Sequence, residues 1–384
     1  MISLIRVIYL VARGTLKIFL QFAFAIFYVT LYHLWEHPKA KLGIGLRVHQ
    51  GTSFGGGLWC VYAVRQTNQV SKNLVSCLIC LRRAGYDTVL INNGRLSDKL
   101  VDAYLPYCHT VILKPCGGRD FGGYKWGTQF LASLGKNTRI DQVIYCNDSI
   151  FIRPTAFEQL LNRIKQLDHD YIGITETFEI HHHVQSWFFA ISARIYHSPF
   201  YKAFWDSYKS YSHRVHCINN GEVKISKLLL GSGVLPHVLY TQSSILDLIF
   251  AGTLDDALSK VMMFFRPHEY ARLMDTIRDI AFAGISDTQL VVNFLRRELL
   301  EKLAMANTMH NVNLLLLRFT GFPFLKKDLV HRAQYFVTQV DNSIADWSGV
   351  DAEELPEILA YYRYRDSLRW QHSFSAMLAR LGVT

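Results

Sequence analysis

Residues 58 to 94 read LWCVYAVRQTNQVSKNLVSCLICLRRAGYDTVLINNG, and the fold turns on this stretch. The apolar run Leu58–Val64 reads as a strand, Ser71–Ala84 as a helix, and Thr88–Ile91 as a second strand ending at Asn92-Asn93-Gly94. Downstream the pattern repeats, with a helix over Ser97–Leu105 and a strand over Thr110–Leu113. The glycine-rich Gly117-Gly118-Arg119-Asp120-Phe121-Gly122-Gly123 follows, then a helix over Tyr124–Leu134 and a strand over Gln142–Cys146. Strands alternating with helices at this spacing predict a parallel, three-layer α/β sheet.

After Pro154, Thr155-Ala156-Phe157-Glu158 fits a capping box and predicts a helix start. Tyr171–Thr175 and Val184–Ser192 read as further strands and the aromatic-rich Phe200–Tyr211 as a helix. From Ala257 the pattern is mostly helical, interrupted at Thr320-Gly321-Phe322-Pro323. Upstream, Gly55-Gly56-Gly57 reads as a hinge. The expected division is a helical, membrane-associated segment over 1–50, an α/β domain over 51–255, and a mainly helical region over 256–384.

The chain has 384 residues, half of them hydrophobic, which excludes intrinsic disorder because ample apolar surface can be buried. Its 7 cysteines are too few for a disulfide scaffold. They are Cys60, Cys77, Cys80, Cys108, Cys116, Cys146 and Cys217, an odd count in apolar contexts, which favours a reducing compartment. Cys77-x-x-Cys80 has no second pair at zinc spacing and reads as core. Lys+Arg number 41 against 31 Asp+Glu, a formal charge of +10 that points to an anionic partner: nucleic acid, phospholipid or nucleotide. The basic residues are spread along the chain with no interleaved basic–aromatic stripe, so nucleic acid ranks last.

Only one stretch approaches membrane-spanning length, which argues against a polytopic membrane protein. The 17 residues Ile18–Leu34 carry no formal charge and would cover about 25 Å of helix. Arg6, Arg13 and Lys17 share one helical face upstream, as in a basic helix lying in a membrane surface. A single N-terminal span remains the alternative, as does a signal peptide cleaved near Ala23-Phe24-Ala25, although the apolar core before that site is short. Lys39, Lys41 and Arg47 flank the other side, so the positive-inside rule does not decide orientation.

Three motifs could carry chemistry. The glycine-rich loop with Arg119 and Lys125 suits a phosphate at a helix N-terminus, or is a tight turn with Asp120 capping the helix. Asn147-Asp148-Ser149 closes an apolar strand, where open sheets bind ligands. Asp148 there could help hold Mg or Mn on a diphosphate, or the motif is an Asx-turn. Asn219-Asn220-Gly221-Glu222 offers a carboxylate as general base, or a glutamate in a first helical turn. His181-His182-His183 is no convincing metal cluster, because consecutive side chains diverge. His183-Val184-Gln185-Ser186-Trp187 places polar groups and a large ring together, as a sugar site would, though Trp187 also suits a core.

The order of these motifs resembles the rhamnan synthesis protein F family, bacterial glycosyltransferases of polysaccharide and O-antigen assembly. The resemblance is carried by Gly118–Lys125, Tyr145–Ser149, His183–Phe188, Asn220-Gly221-Glu222 and Gly321–Lys327. It implies a GT-A-like three-layer αβα nucleotide-binding domain with an N-terminal membrane-associated helix and a helical C-terminal region. The implied activity is transfer of rhamnose or another hexose, with inversion, from a nucleotide-sugar donor to a lipid-linked glycan acceptor. That activity would sit on the cytoplasmic face of the bacterial inner membrane, alongside other glycan-assembly proteins. A divalent cation is an expected cofactor only if Asp148 holds one.

On that reading Asn93, Arg119, Asp120, Gly122, Gly123, Lys125, Asn147, Asp148 and Ser149 form the donor site. His183, Gln185 and Trp187 contact the acceptor, and Glu222 is the base with His183 as its understudy. The first strand ends Tyr62-Ala63-Val64-Arg65, where the family tends to a His-Tyr-Asp-like end. From a different functional class, the alternative is a non-catalytic polysaccharide- or lipid-binding component of an assembly complex.

Overall fold

The computed structural model describes residues 2–38, 42, 45–94, 96–114, 117–282, 288–330 and 335–369. Cys116 lies outside them.

Among the described residues the strands are β1 (Arg47–Gln50), β2 (Leu58–Val64), β3 (Asp87–Asn92), β4 (Thr110–Leu113), β5 (Gln142–Asn147), β6 (Ile150–Ile152), β7 (Tyr171–Thr177), β8 (His183–Val184), β9 (Phe188–Ser192), β10 (His237–Tyr240) and β11 (Phe324–Lys326). The main sheet runs β1-β4-β3-β2-β5-β9-β7-β10, with β8 paired to β7. Strands β4, β3, β2 and β5 are mutually parallel, whereas β9 runs antiparallel to both β5 and β7. The expected α/β sheet is therefore present, mostly parallel, with antiparallel pairings added at β1 and β9.

Alternation along β2 sends its side chains to two separate cores. Trp59, Val61 and Ala63 pack on one face against α3 (Arg119–Ser133), α5 (Pro199–Ser207) and α6 (Lys224–Gly231). Cys60, Tyr62 and Val64 pack on the other against α2 (Lys72–Arg83), α4 (Pro154–Gln166) and all but the last two of the C-terminal helices. Those C-terminal helices are α7 (Gln242–Phe250), α8 (Leu254–Phe264), α9 (Pro267–Phe282), α10 (Thr288–Met305), α11 (Thr308–Phe319), α12 (Val337–Ile344) and α13 (Leu355–Arg369). Helices α7 to α11 share the sheet's core, with Leu295, Leu299, Leu303 and Met309 buried in it, whereas α12 and α13 pack with β6 and β11 in a third cluster that includes Phe151, Leu325, Val340, Ile344, Ile358 and Tyr362.

Several local expectations are corrected. The helix expected over Ser97–Leu105 is one turn, Asp98–Val101, followed by a tighter turn Leu105–Tyr107 around Pro106. Helix α3 begins at Arg119, five residues before the expected start, so Gly122 and Gly123 lie inside it rather than in a loop. Val184–Ser192 is interrupted at Gln185–Trp187. The capping box at Thr155–Glu158 does not form. Instead Asp351, from the far end of the chain, accepts from Thr155 N at 2.9 Å and Arg153 Nε at 2.8 Å. A remote carboxylate satisfies the helix start when the chain brings one there.

At the N-terminus, α1 (Ile2–Leu31) continues into a π-helical turn, Tyr32–Glu36. Ile18–Glu36 is long and apolar enough to cross a membrane by length and composition, and only 6% of it is buried. Residues 47–50, within the expected N-terminal segment, pair with β4 and so belong to the sheet. Likewise β11, from the expected C-terminal region, pairs with β6.

Candidate active site

The parallel strands end together, with Ala63 opposite Asn147 and Val64 opposite Asn92, and antiparallel β9 starts at this edge with Phe188 opposite Cys146. This carboxyl edge is where open sheets receive ligands, because the following loops and helix N-termini converge there. The candidate residues come to it from five segments.

At its centre, Asn147 is 4% exposed, and its Nδ2 donates to Asp120 Oδ2 at 3.1 Å. The Asn147 Oδ1 accepts from Ser149 N at 3.1 Å and from Ser149 Oγ. Ser149 Oγ accepts in turn from Lys326 Nζ at 2.8 Å, delivered by β11. Lys326–Ser149–Asn147–Asp120 thus forms one hydrogen-bonded line. Desolvation pushes the Asp120 carboxyl above its usual range and the charge of Glu222 adds to this, while Arg119 opposes it. Asp120 accepts only from the adjacent Phe121 N at 3.1 Å on the helix side, so its main role is not an N-cap.

Glu222 lies on a π-helical turn, Cys217–Val223, that runs into α6. Such turns reorient side chains and recur at functional sites. Its Oε1 accepts from Ser186 N at 3.0 Å and from Ser186 Oγ. Tyr124 OH, from α3, donates to Ser186 O at 2.8 Å and fixes that partner. His183 Nε2 stands 3.9 Å from Glu222 Oε2, too far for a hydrogen bond. Its Nδ1 is 2.7 Å from His181 O, an acceptor only, so Nδ1 carries the proton and Nε2 in the neutral ring is a lone pair facing Glu222. Gly221 lets the turn approach Phe121, whose ring carbon would lie 2.7 Å from a Cβ there.

The glycine turn is strained. Gly118 has φ +95° and Arg119, exposed, has φ +52°, a region that costs a bulky residue energy. Asn93 Nδ2 donates to Arg119 O at 2.8 Å, which helps hold it. Gly122 and Gly123 act as spacers, since a Cβ on Gly123 would sit 2.6 Å from Ala63 Cβ.

Four expected site residues are placed differently. Lys125 turns away, its Nζ donating to Tyr208 O at 2.7 Å and Asp206 O at 3.3 Å at the end of α5. Asp148 Oδ2 accepts from Arg65 N at 2.9 Å and Gln66 Nε2 at 3.0 Å, tying β5 to the loop after β2. Gln185 is consumed between Thr175 and Asn307, a link from the sheet to the C-terminal helices. Trp187 is 2% exposed among Phe322 and Phe324, which is its core reading. Of the histidines, His182 bonds Glu176 at 2.8 Å while His183 faces Glu222, so the run diverges as expected.

Asp148 is poorly set to hold a divalent cation. Among the described residues no three His, Cys, Asp or Glu side chains gather as a metal site. The neighbouring Asn147 and Ser149 oxygens bond each other, and the Lys326 ammonium stands beside them. Ser186, Tyr124 and Lys326 were missed as site residues; Lys326 is 177 positions from Ser149 and no local pattern joins them.

Residues 88–251 match the rhamnan synthesis protein F family. The matched span holds Asn93, Arg119, Asp120, Asn147, His183, Ser186 and Glu222, and ends before Lys326. The family takes its name from rhamnan synthesis. An uncharacterized protein of Sinorhizobium fredii, y4gN, is 25% identical over 192 residues, which cover 48% of this chain and 49% of that protein. The chain thus spans about half the length of this curated relative.

Proposed function

We propose that the protein is a membrane-associated, GT-A-like glycosyltransferase of bacterial polysaccharide assembly. It moves rhamnose or another hexose from a nucleotide-diphosphate donor to a lipid-linked glycan at the cytoplasmic face of the inner membrane. The observation that carries this reading is Glu222, pinned by Ser186 beside the desolvated Asp120, at the carboxyl edge of a parallel sheet. A base must be held where an acceptor hydroxyl will arrive, and Ser186 holds Glu222 by one oxygen and leaves the other.

In the reaction, the acceptor oxygen bonds the anomeric carbon as the bond from that carbon to the diphosphate oxygen breaks. The hydroxyl proton goes to Glu222, and the electron pair leaves with the nucleoside diphosphate. Attack opposite the leaving group gives inversion. Arg119 and the N-terminus of α3 supply positive potential for the departing diphosphate. His183 Nε2, 3.9 Å from Glu222 Oε2, is outside proton-transfer reach of it and is the alternative base for the acceptor hydroxyl. The donor set around Asp148 does not fit a protein-held cation, so no step is routed through one.

The test is product mass after incubation with a panel of nucleotide-sugars and a lipid-linked acceptor. Wild-type transfer, lost in Glu222→Gln with folding intact, is expected. Full transfer in Glu222→Gln and in Asp120→Asn overturns the assignment. Polysaccharide binding without nucleotide-dependent turnover would favour a non-catalytic component.

A further inference from the structure

The N-terminal helix does more than reach away from the body; its last turn is bonded into the glycine turn of the site. Tyr32, 9% exposed, meets Tyr211 edge-on with ring centroids 4.9 Å apart, and His33 Nε2 lies 3.2 Å from Tyr211 OH. Tyr28 reaches His213 at 6.0 Å between rings. The π-helical register of Tyr32–Glu36 alters the phase of the helix at this contact, which Tyr32 and Glu36 both make.

Glu36 Oε1 accepts from Gly117 N at 3.2 Å and from Ser212 Oγ at 3.4 Å. Ser212 Oγ accepts in turn from Gly118 N at 2.7 Å. Two successive amides are therefore held by one carboxylate, directly and through a hydroxyl relay. On the other side, Lys114, 2% exposed, donates to Gly117 O at 2.8 Å and lies within electrostatic reach of Glu36. Gly117 thus has its N–H held by a negative group and its C=O by a positive one. A Cβ at Gly117 would collide with Ser212 Oγ and Glu36 Oε1, so the fit is close. The next residues are Gly118 and Arg119, both at positive φ, then Asp120.

We propose that Glu36 is a positioning residue: the docked end of the apolar helix holds the Gly117–Arg119 turn in the strained form that presents Arg119 and the N-terminus of α3 to the donor diphosphate. What the turn binds rests on the transferase reading; the mechanical link rests on the contacts alone. Anchoring and donor binding are then coupled through one carboxylate.

The experiment uses the full chain in nanodiscs of anionic lipid, comparing wild type with Glu36→Ala and Glu36→Gln. Hydrogen exchange at the Gly117–Gly122 amides reads the link. Calorimetric titration with UDP, GDP and dTDP reads its consequence. In Glu36→Ala, exchange rises and the dissociation constant for the nucleotide that binds wild type rises, each on the order of tenfold, as loss of one charge-assisted hydrogen bond gives. Glu36→Gln, which keeps an acceptor for Gly117, recovers most of both. Phe22→Ala, at a position 66% exposed on the same helix, changes neither. Unchanged exchange in Glu36→Ala overturns the link. Tighter nucleotide binding in Glu36→Ala overturns the positioning role, because the carboxylate would then be blocking the turn. If wild type binds none of the nucleotides while exchange still rises, the link stands and the transferase reading fails.

Discussion

Replacing Gly123 by alanine separates stability from site geometry. Helix α3 lies so close to β2 that a Cβ on Gly123 would fall 2.6 Å from Ala63 Cβ, and 3.4 Å from both Ala63 Cα and Asn93 Nδ2. Relaxed carbon–carbon contacts lie at about 3.5–4.0 Å, so this end of the helix must lift by about 1 Å. Gly127, one turn on, is tighter still, its Cβ position colliding with Val61 Cγ1 and lying 2.9 Å from Ile91 Cδ1. Overpacking costs about 1–3 kcal/mol, while alanine's better helix propensity returns about 1 kcal/mol. The net loss is then about 0–2 kcal/mol, a drop of a few degrees in Tm for a chain of this size.

The site suffers more than the fold. Arg119 and Asp120 ride on the first turn of α3, immediately before Gly123, and a 1 Å misplacement of catalytic groups costs on the order of a hundredfold in rate. Gly123→Ala should therefore unfold nearly as wild type does and lose about a hundredfold in transfer. Ser133→Ala, at the exposed end of the same helix, sets the baseline. Thermal unfolding and steady-state transfer on both variants decide it. Wild-type transfer by Gly123→Ala, or a raised Tm with nucleotide binding intact, would refute the spacer role and return this glycine to the loop expected from its sequence.

Asp120 has a raised carboxyl pKa in the folded chain, so the fold loses stability as pH rises from the ordinary carboxylate range through that raised value. Asp120→Asn removes this loss, so its stability advantage over wild type should be larger at pH 8 than at pH 4; equal differences in chemical denaturation midpoint at the two values would count against it. Ser186→Ala leaves Glu222 one amide donor and no hydroxyl, so kcat should fall about tenfold with KM little changed. Ser71 caps α2 by accepting from Leu74 N at 3.2 Å and donates to Glu357 Oε1 at 2.6 Å. Ser71→Ala should cost about 1–2 kcal/mol in urea unfolding and leave transfer unchanged; a loss of transfer at full stability would mean the site extends to α13.

Secondary structure was most legible where local signals agree. Strand β4 has the bounds its β-branched and apolar run Thr110–Leu113 predicts, and Ser71 caps the helix expected after it. Legibility failed where glycine stood for looseness. The glycines after Arg119 were expected to make a loop, but the absence of side chains lets α3 press on β2, and that close packing stabilises the helix. Lys125 was grouped with Arg119 by sign and proximity along the chain, yet its ammonium bonds the carbonyls at the end of α5. A helix turns through about 100° per residue, so charge spacing near a helix start does not determine which charges meet. The capping box at Thr155–Glu158 was outcompeted by Asp351, because a residue almost two hundred positions away makes no local pattern.

The order of strands and helices was determined by the sequence itself, because apolar runs, helical periodicity and caps act over a few residues. Strand ends and helix starts are local features too, although β11, which brings Lys326 to Ser149, was not among the segments they pointed to. Which of those segments meet was decided only by the tertiary structure. Glu222 faces Ser186, Lys326 reaches Ser149, and Glu36 closes on Gly117 through contacts spanning 36, 177 and 81 positions. Such pairs are set by how the sheet orders its strands and where the apolar helix docks. Those choices come from burying shared cores, a sum over the whole chain that no short window contains.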